Sequence, residues 1–150
     1  MNSVDADRGV RLAAAIAALG FVGLAIFEIA LAAGAPLGKA AWGGAHAHLT
    51  TGARVGSGIS VFVFIAATLL VLGCAGIGPL REHAMASRRG TWFFAAVFAL
   101  EAVANFASRS HYENAIMGPL SVLLAVLCIV VARGTRTGPQ RTKHKPAAAR

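Results

Sequence analysis

Two carboxylates sit where carboxylates are costly. Glu28 and Glu101 each lie inside an apolar run long enough to cross a bilayer. A charge at that depth costs roughly 2.5–3.5 kcal/mol on insertion scales, so each should face protein and have a partner. Glu28 lies six residues before Gly34, about 9 Å below the end of its run, and Glu101 lies seven before Ser108, about 10 Å below. The two are therefore level. Asn105 and Ser108 follow Glu101 on one helical stripe, with Arg109 at its edge. Arg54 opens the intervening run at the same end.

Glu28, Arg54, Glu101, Asn105 and Arg109 are the candidate binding residues. Three kinds of chemistry suit them. Two carboxylates close together in low dielectric do not both ionise cheaply, so one can carry an exchangeable proton. That fits proton-coupled movement of a small molecule, or recognition of a polar or lipid headgroup. The structural alternative pairs Glu28 and Glu101 with Arg54 and Arg109, or bonds them to Ser57 and Asn105, to hold helices in register. The third is intramembrane catalysis on a lipid or isoprenoid, with a Glu as acid or base.

His46-Ala47-His48 places two imidazoles on one side of an extended loop, and Glu113 or His111 would be needed to complete a zinc site. Without a fixed third ligand the pair reads as solvated loop histidines, and no metal is expected. No Gly-rich phosphate loop, catalytic Ser or Cys constellation or haem-attachment motif occurs, so no cofactor is expected either.

These residues need elements to hold them. The chain has 150 residues, 57% hydrophobic and 13% charged, where soluble domains carry roughly 25% charge. Four apolar runs, about 12–33, 55–75, 91–107 and 115–132, are each roughly 25–33 Å long as helices. The expected fold is all-α, a four-transmembrane-helix bundle. A polar lead covers 1–11, the membrane domain 12–132, and a disordered basic tail 133–150. The first run follows Arg8 and Arg11 like a secretory signal, but its length and Glu28 mark it as a span.

The net charge of +8 does not indicate nucleic acid, because of where the charge falls. Arg8, Arg11, Arg81, Arg88, Arg89 and the cations from Arg133 onward share one side of the bundle; Lys39, Arg54 and Arg109 occupy the other. The positive-inside rule then puts both termini in the cytoplasm. The tail is placed to meet anionic lipid. Cys74 and Cys128 fall on that reducing side and read as small apolar fillers rather than a disulfide.

The connections carry their own signals. Residues 34–52 are long enough to fold back over the bundle mouth, and Trp42 suits the headgroup level. Gly52 and Gly56 match a small-residue packing face. Ser110-x-x-Glu113 matches a capping box for helix four. Pro119 then falls inside that helix, which should start near Tyr112 and kink, freeing the Ala115 carbonyl.

The strings Gly34-Ala35-Pro36-Leu37-Gly38, Ala41-Trp42-Gly43-Gly44 and Asn105-x-x-Ser108-Arg109-Ser110-x-x-Glu113 resemble those of small, uncharacterised four-helix bacterial membrane proteins. The resemblance covers most of residues 12–132. It implies a bacterial inner-membrane location and brings no activity or assigned residues. Small multidrug-resistance transporters also have four short helices and a Glu in the first, but this chain is longer, lacks their motif around that Glu, and has a second buried Glu. The leading expectation is a binding or transport protein for a small or lipidic ligand, with a second copy of the chain as an expected partner in a homo-oligomer. A structural or accessory subunit and an intramembrane enzyme are the alternatives.

Overall fold

Apolar runs this long leave the backbone one economical solution in lipid, which is to satisfy every peptide group within a helix. The computed structural model describes residues 3–134 and is all-helical over that range. Helix α1 spans Ser3–Ala33, α2 Thr51–Cys74, α3 Ala84–Ala107 and α4 Gly118–Gly134. A turn of π-helix, Glu113–Met117, leads into α4. Among the described residues, four helical segments are long and apolar enough to cross a membrane. The basic tail from residue 135 lies outside the described residues.

Two helices start earlier than the apolar runs. Helix α1 takes in most of the polar lead, since nothing before Leu12 breaks a helix and Asp5 sits favourably in its first turn. Helix α3 begins at Ala84 rather than near Thr91, because residues 84–90 carry no proline. At the other ends, glycine does the stopping. Gly34, at φ 97°, lets the Ala35 N–H reach back to the Ala30 carbonyl, 3.0 Å. Gly76, at φ 72°, lets Ile77 do the same to Leu72, 2.9 Å. Both are the left-handed C-terminal stop that glycine adopts without a Cβ clash.

The helices pack in cyclic order, α1 against α2 and α4, α3 against the same two. Helices α1 and α3 are diagonal and meet through rings: Phe21 lies 5.2 Å from Phe98 and 6.4 Å from Phe94, and Phe64 of α2 is 6.2 Å from Phe98. The rest of the interior is small. Ala14, Ala17, Ala67, Ala95, Ala125 and Ala132 are buried, and Gly20 faces Leu124 so closely that a Cβ would lie 2.7 Å from it. Small residues let helix backbones approach where lipid supplies no hydrophobic drive. Leu31, Val71, Leu124 and Val131 are the larger exceptions inside, and many other large apolar side chains point outward, among them Leu19, Ile26, Phe62, Phe93, Leu100 and Val103.

Both ends of the chain's helical part share one end of the bundle. A Cβ on Gly134 would meet the Val10 side chain, Arg88 Nε donates to the Ala132 carbonyl at 2.8 Å, and Arg133 stacks 5.8 Å from the Trp92 ring. The 34–50 loop and the α3–α4 connection close the opposite end.

Candidate functional site

Helical periodicity decides where the two membrane carboxylates point. On α1 the buried stripe runs Ala14, Ala17, Phe21, Ala25, and Glu28 is the next residue along it. On α3 it runs Ser87, Thr91, Phe94, Phe98, and Glu101 and Asn105 continue it. Each Glu is carried inward by the phase of its own core stripe. Because α1 and α3 are diagonal partners, the two stripes face each other across the bundle axis.

They meet in a cavity of about 460 Å³ whose walls come from all four helices and the 34–50 loop. Leu24, Phe27 and Glu28 come from α1, Ser60 and Phe64 from α2, Glu101, Ala104 and Asn105 from α3, and Met117, Leu120 and Ser121 from the π turn and α4. Phe64, in the wall, stacks on the Phe98 ring toward the middle of the bundle. Ala40–Gly43 and Glu113 form the roof.

The roof is stitched down. Trp42 Nε1 donates to Ser57 Oγ at 3.1 Å, the Gly43 N–H to Glu113 Oε1 at 2.7 Å, and Ser110 Oγ to the Lys39 carbonyl at 2.7 Å. Ser108 Oγ donates to the second Glu113 oxygen. Trp42, Gly43 and Gly44 all take positive φ, at 55°, 80° and 66°. For tryptophan this is a strained backbone, held only where the surroundings fix it. Here the indole bond to Ser57 fixes it, and the ring lies over Gly56, where a Cβ would come within 2.5 Å. Gly56 thus makes room for a side chain of the roof rather than for a neighbouring helix, and Gly52 has nothing near its missing Cβ.

Half of the capping box forms. Ser110 Oγ accepts from the Glu113 N–H at 3.4 Å, but the Glu113 carboxylate turns away from Ser110 to hold Gly43 and Ser108. Pro119 supplies no N–H, and the chain answers with a π turn in which the Gly118 N–H bonds the Glu113 carbonyl. A π turn widens the helix by one residue and is common at functional sites. It places Glu113 and Met117 on the cavity with Leu120 and Ser121.

Of the five candidate binding residues, three come together: Glu28, Glu101 and Asn105 line the cavity. Arg54 and Arg109 do not. Arg54 Nε donates to the Ala32 carbonyl at 2.9 Å, a cation at the C-terminal end of α1 where the helix dipole favours one. Arg109 is exposed beyond the end of α3. The Asn105 amide donates to Ser121 Oγ, 3.2 Å, joining α3 to α4.

Among the described residues no Lys or Arg lines the cavity with the carboxylates. Glu28 has Ser57 alongside it, and the charged group acting on Glu101 is Glu28. Glu28 Oε2 is buried and has no hydrogen-bond partner among the described residues. Such an atom is rare, since a buried acceptor left unpaired costs about 1–3 kcal/mol. Glu101 is the accessible member of the pair.

Glu113 and Trp42 line the cavity but lie outside those five residues. Glu113 is only 6% exposed and its capping-box spacing gave it a local role; that its carboxylate reaches the 34–50 loop depends on a contact 70 residues away. Trp42 and Ser57 meet across a similarly folded-back loop. His46 and His48 are both exposed, and among the described residues no group of three or more His, Cys, Asp or Glu is arranged to hold a metal ion. Cys74 and Cys128 are buried at the opposite end and form no disulfide.

No protein-family model matches the chain, and no curated protein or solved structure is significantly similar to it.

Proposed function

We propose that this chain is a multi-pass protein of a bacterial cytoplasmic membrane that binds, and moves or presents, a small or lipidic ligand in its roofed cavity. In this reading the termini face the cytoplasm, following the excess of Lys and Arg at their end, and the cavity belongs to the outer half of the bilayer.

One observation carries it: a buried carboxylate oxygen without a partner among the described residues, Glu28 Oε2, in the side chain that lines a cavity of about 460 Å³. That volume is in the range of small-molecule sites, and the mixture of aromatic walls with a few polar groups is typical of them. The ion-pair form of the structural alternative is not favoured, since the arginines at their end are engaged elsewhere or exposed; what that alternative keeps is Ser57 beside Glu28.

The test is ligand-dependent thermal stability of the purified, lipid-reconstituted protein against a panel of amines, carboxylates and isoprenoid lipids. A ligand at 100 times its Kd stabilises by about 2.7 kcal/mol. At least one class should raise the Tm of the native chain and lose that effect in Glu28→Gln and Glu101→Gln. Stabilisation that persists unchanged in both variants, with normal assembly, overturns the reading.

A further inference from the structure

We infer that the ligand is an organic cation, an amine or quaternary ammonium group carrying an apolar body. This rests on the binding reading above and specifies its chemistry. An anionic group entering the cavity would meet Glu28 and Glu101 with no cation among the lining residues to offset them. A cation is instead attracted by the two carboxylates in a low-dielectric setting, and where it is an amine its N–H groups also offer donors to them.

The walls match the remainder of such a molecule. Phe27, Phe64 and Trp42 present aromatic rings to the same space as the two carboxylates. Aromatic faces attract ammonium groups through their ring quadrupoles and pack any attached apolar group. A bare metal ion fits poorly, since among the described residues no three acidic, histidine or cysteine side chains are grouped to hold one, and about 460 Å³ far exceeds one ion. Glu113 also lines the cavity, but each of its oxygens is held in the roof, by Gly43 or by Ser108. The recognition group is therefore the pair Glu28 and Glu101. The cation can arrive as a soluble amine or as the ammonium of a lipid headgroup.

Benzyltrimethylammonium and its neutral carbon analogue neopentylbenzene have the same shape and differ in charge. Both are titrated into the full chain in phosphatidylglycerol nanodiscs, read by Trp42 emission in a Trp92→Phe background. The cation should bind at least tenfold tighter than the neutral probe. Glu28→Gln with Glu101→Gln should abolish that preference while keeping neopentylbenzene binding, which shows that the cavity is intact. Ala104→Phe, which narrows the cavity without adding a second indole, should block both probes. Equal affinity for the two probes, or a cation preference that survives the double Gln variant, overturns the cation assignment while leaving the site standing. Failure of both probes to bind, or indifference to Ala104→Phe, overturns the site itself. Adding phosphatidylethanolamine to the nanodiscs separates the sources. Weakened cation binding means the headgroup ammonium competes, unchanged binding means a soluble cation, and either supports the class.

Discussion

Glu28 makes opposite demands on stability and on binding. Its Oε2 atom is shut away from solvent and has no hydrogen-bond partner among the described residues, while Ser57 lies alongside the same carboxylate. A group kept at a cost is expected to serve something other than the fold. Glu28→Leu should therefore raise stability by about 1–3 kcal/mol, the usual cost of an orphaned buried acceptor, in thermal unfolding of the reconstituted protein. A fall of that size would make Glu28 a structural residue. Glu113 should behave the other way. Its two oxygens accept from Gly43 and Ser108, and an amide in its place keeps one acceptor and adds a donor that faces donors. Glu113→Gln should lower stability by about 1–3 kcal/mol and speed hydrogen exchange at residues 38–49, whereas unchanged exchange there would mean the latch is unimportant. That Glu28 and Glu101 should face protein was legible in the sequence from the cost of a carboxylate at membrane depth, and Asn105 from its helical spacing to Glu101. The separate duties of Arg54 and Glu113 were not. Charge and depth are visible along the chain, but a bond to Ala32 or to Gly43 depends on how two loops close.

At the level of elements, the helices follow from local rules and the loop that roofs the cavity does not. Four apolar runs bounded by Gly34, Thr50, Gly76 and Ser108 leave little choice of helix number. The π turn before Pro119 was half legible: the proline required a break in the bonding pattern, but whether a kink or a widened turn absorbs it depends on what Glu113 and Met117 can reach. The roof's three successive positive-φ residues were not legible, since tryptophan avoids that conformation unless a distant partner holds it. That partner relationship is testable through Gly56. Alanine there raises helix propensity by about 1 kcal/mol, yet its methyl would collide with the Trp42 ring. Gly56→Ala in a Trp92→Phe background should shift Trp42 emission to longer wavelength with α2 intact, and an unshifted spectrum would show that the indole has another resting place. Gly20 tests the packing of α1 on α4. Gly20→Val drives into Leu124 and should lower stability by about 1–3 kcal/mol, with no loss if the helices can slide apart.

The whole molecule is a bundle with unlike ends. One end gathers both ends of its helical part, basic side chains and small, tightly packed residues; the other holds a roofed cavity where, among the described residues, no Lys or Arg joins the carboxylates. Rings of Phe21, Phe64 and Phe98 lie between them, so passage through the bundle would require those rings to part. The unlike ends also set the expected orientation: with Cys74 and Cys128 replaced by Ala, Lys39→Cys should react with a membrane-impermeant maleimide added to intact cells, and Glu82→Cys only after lysis. The reverse pattern would put the cavity on the cytoplasmic side. The central claim is that Glu101 stands in a wet, negatively charged cavity rather than in lipid. Its most direct measurement is the reactivity of Glu101→Cys, in the same cysteine-free background, toward two small methanethiosulfonates, one bearing an ammonium and one a sulfonate. Glu101→Cys should react at least tenfold faster with the cationic reagent, drawn by Glu28, and that advantage should vanish when Glu28→Gln is added, while the outward-facing Val103→Cys reacts with neither. A Glu101→Cys side chain as inert as Val103→Cys, or one equally reactive toward both charges, would contradict the account.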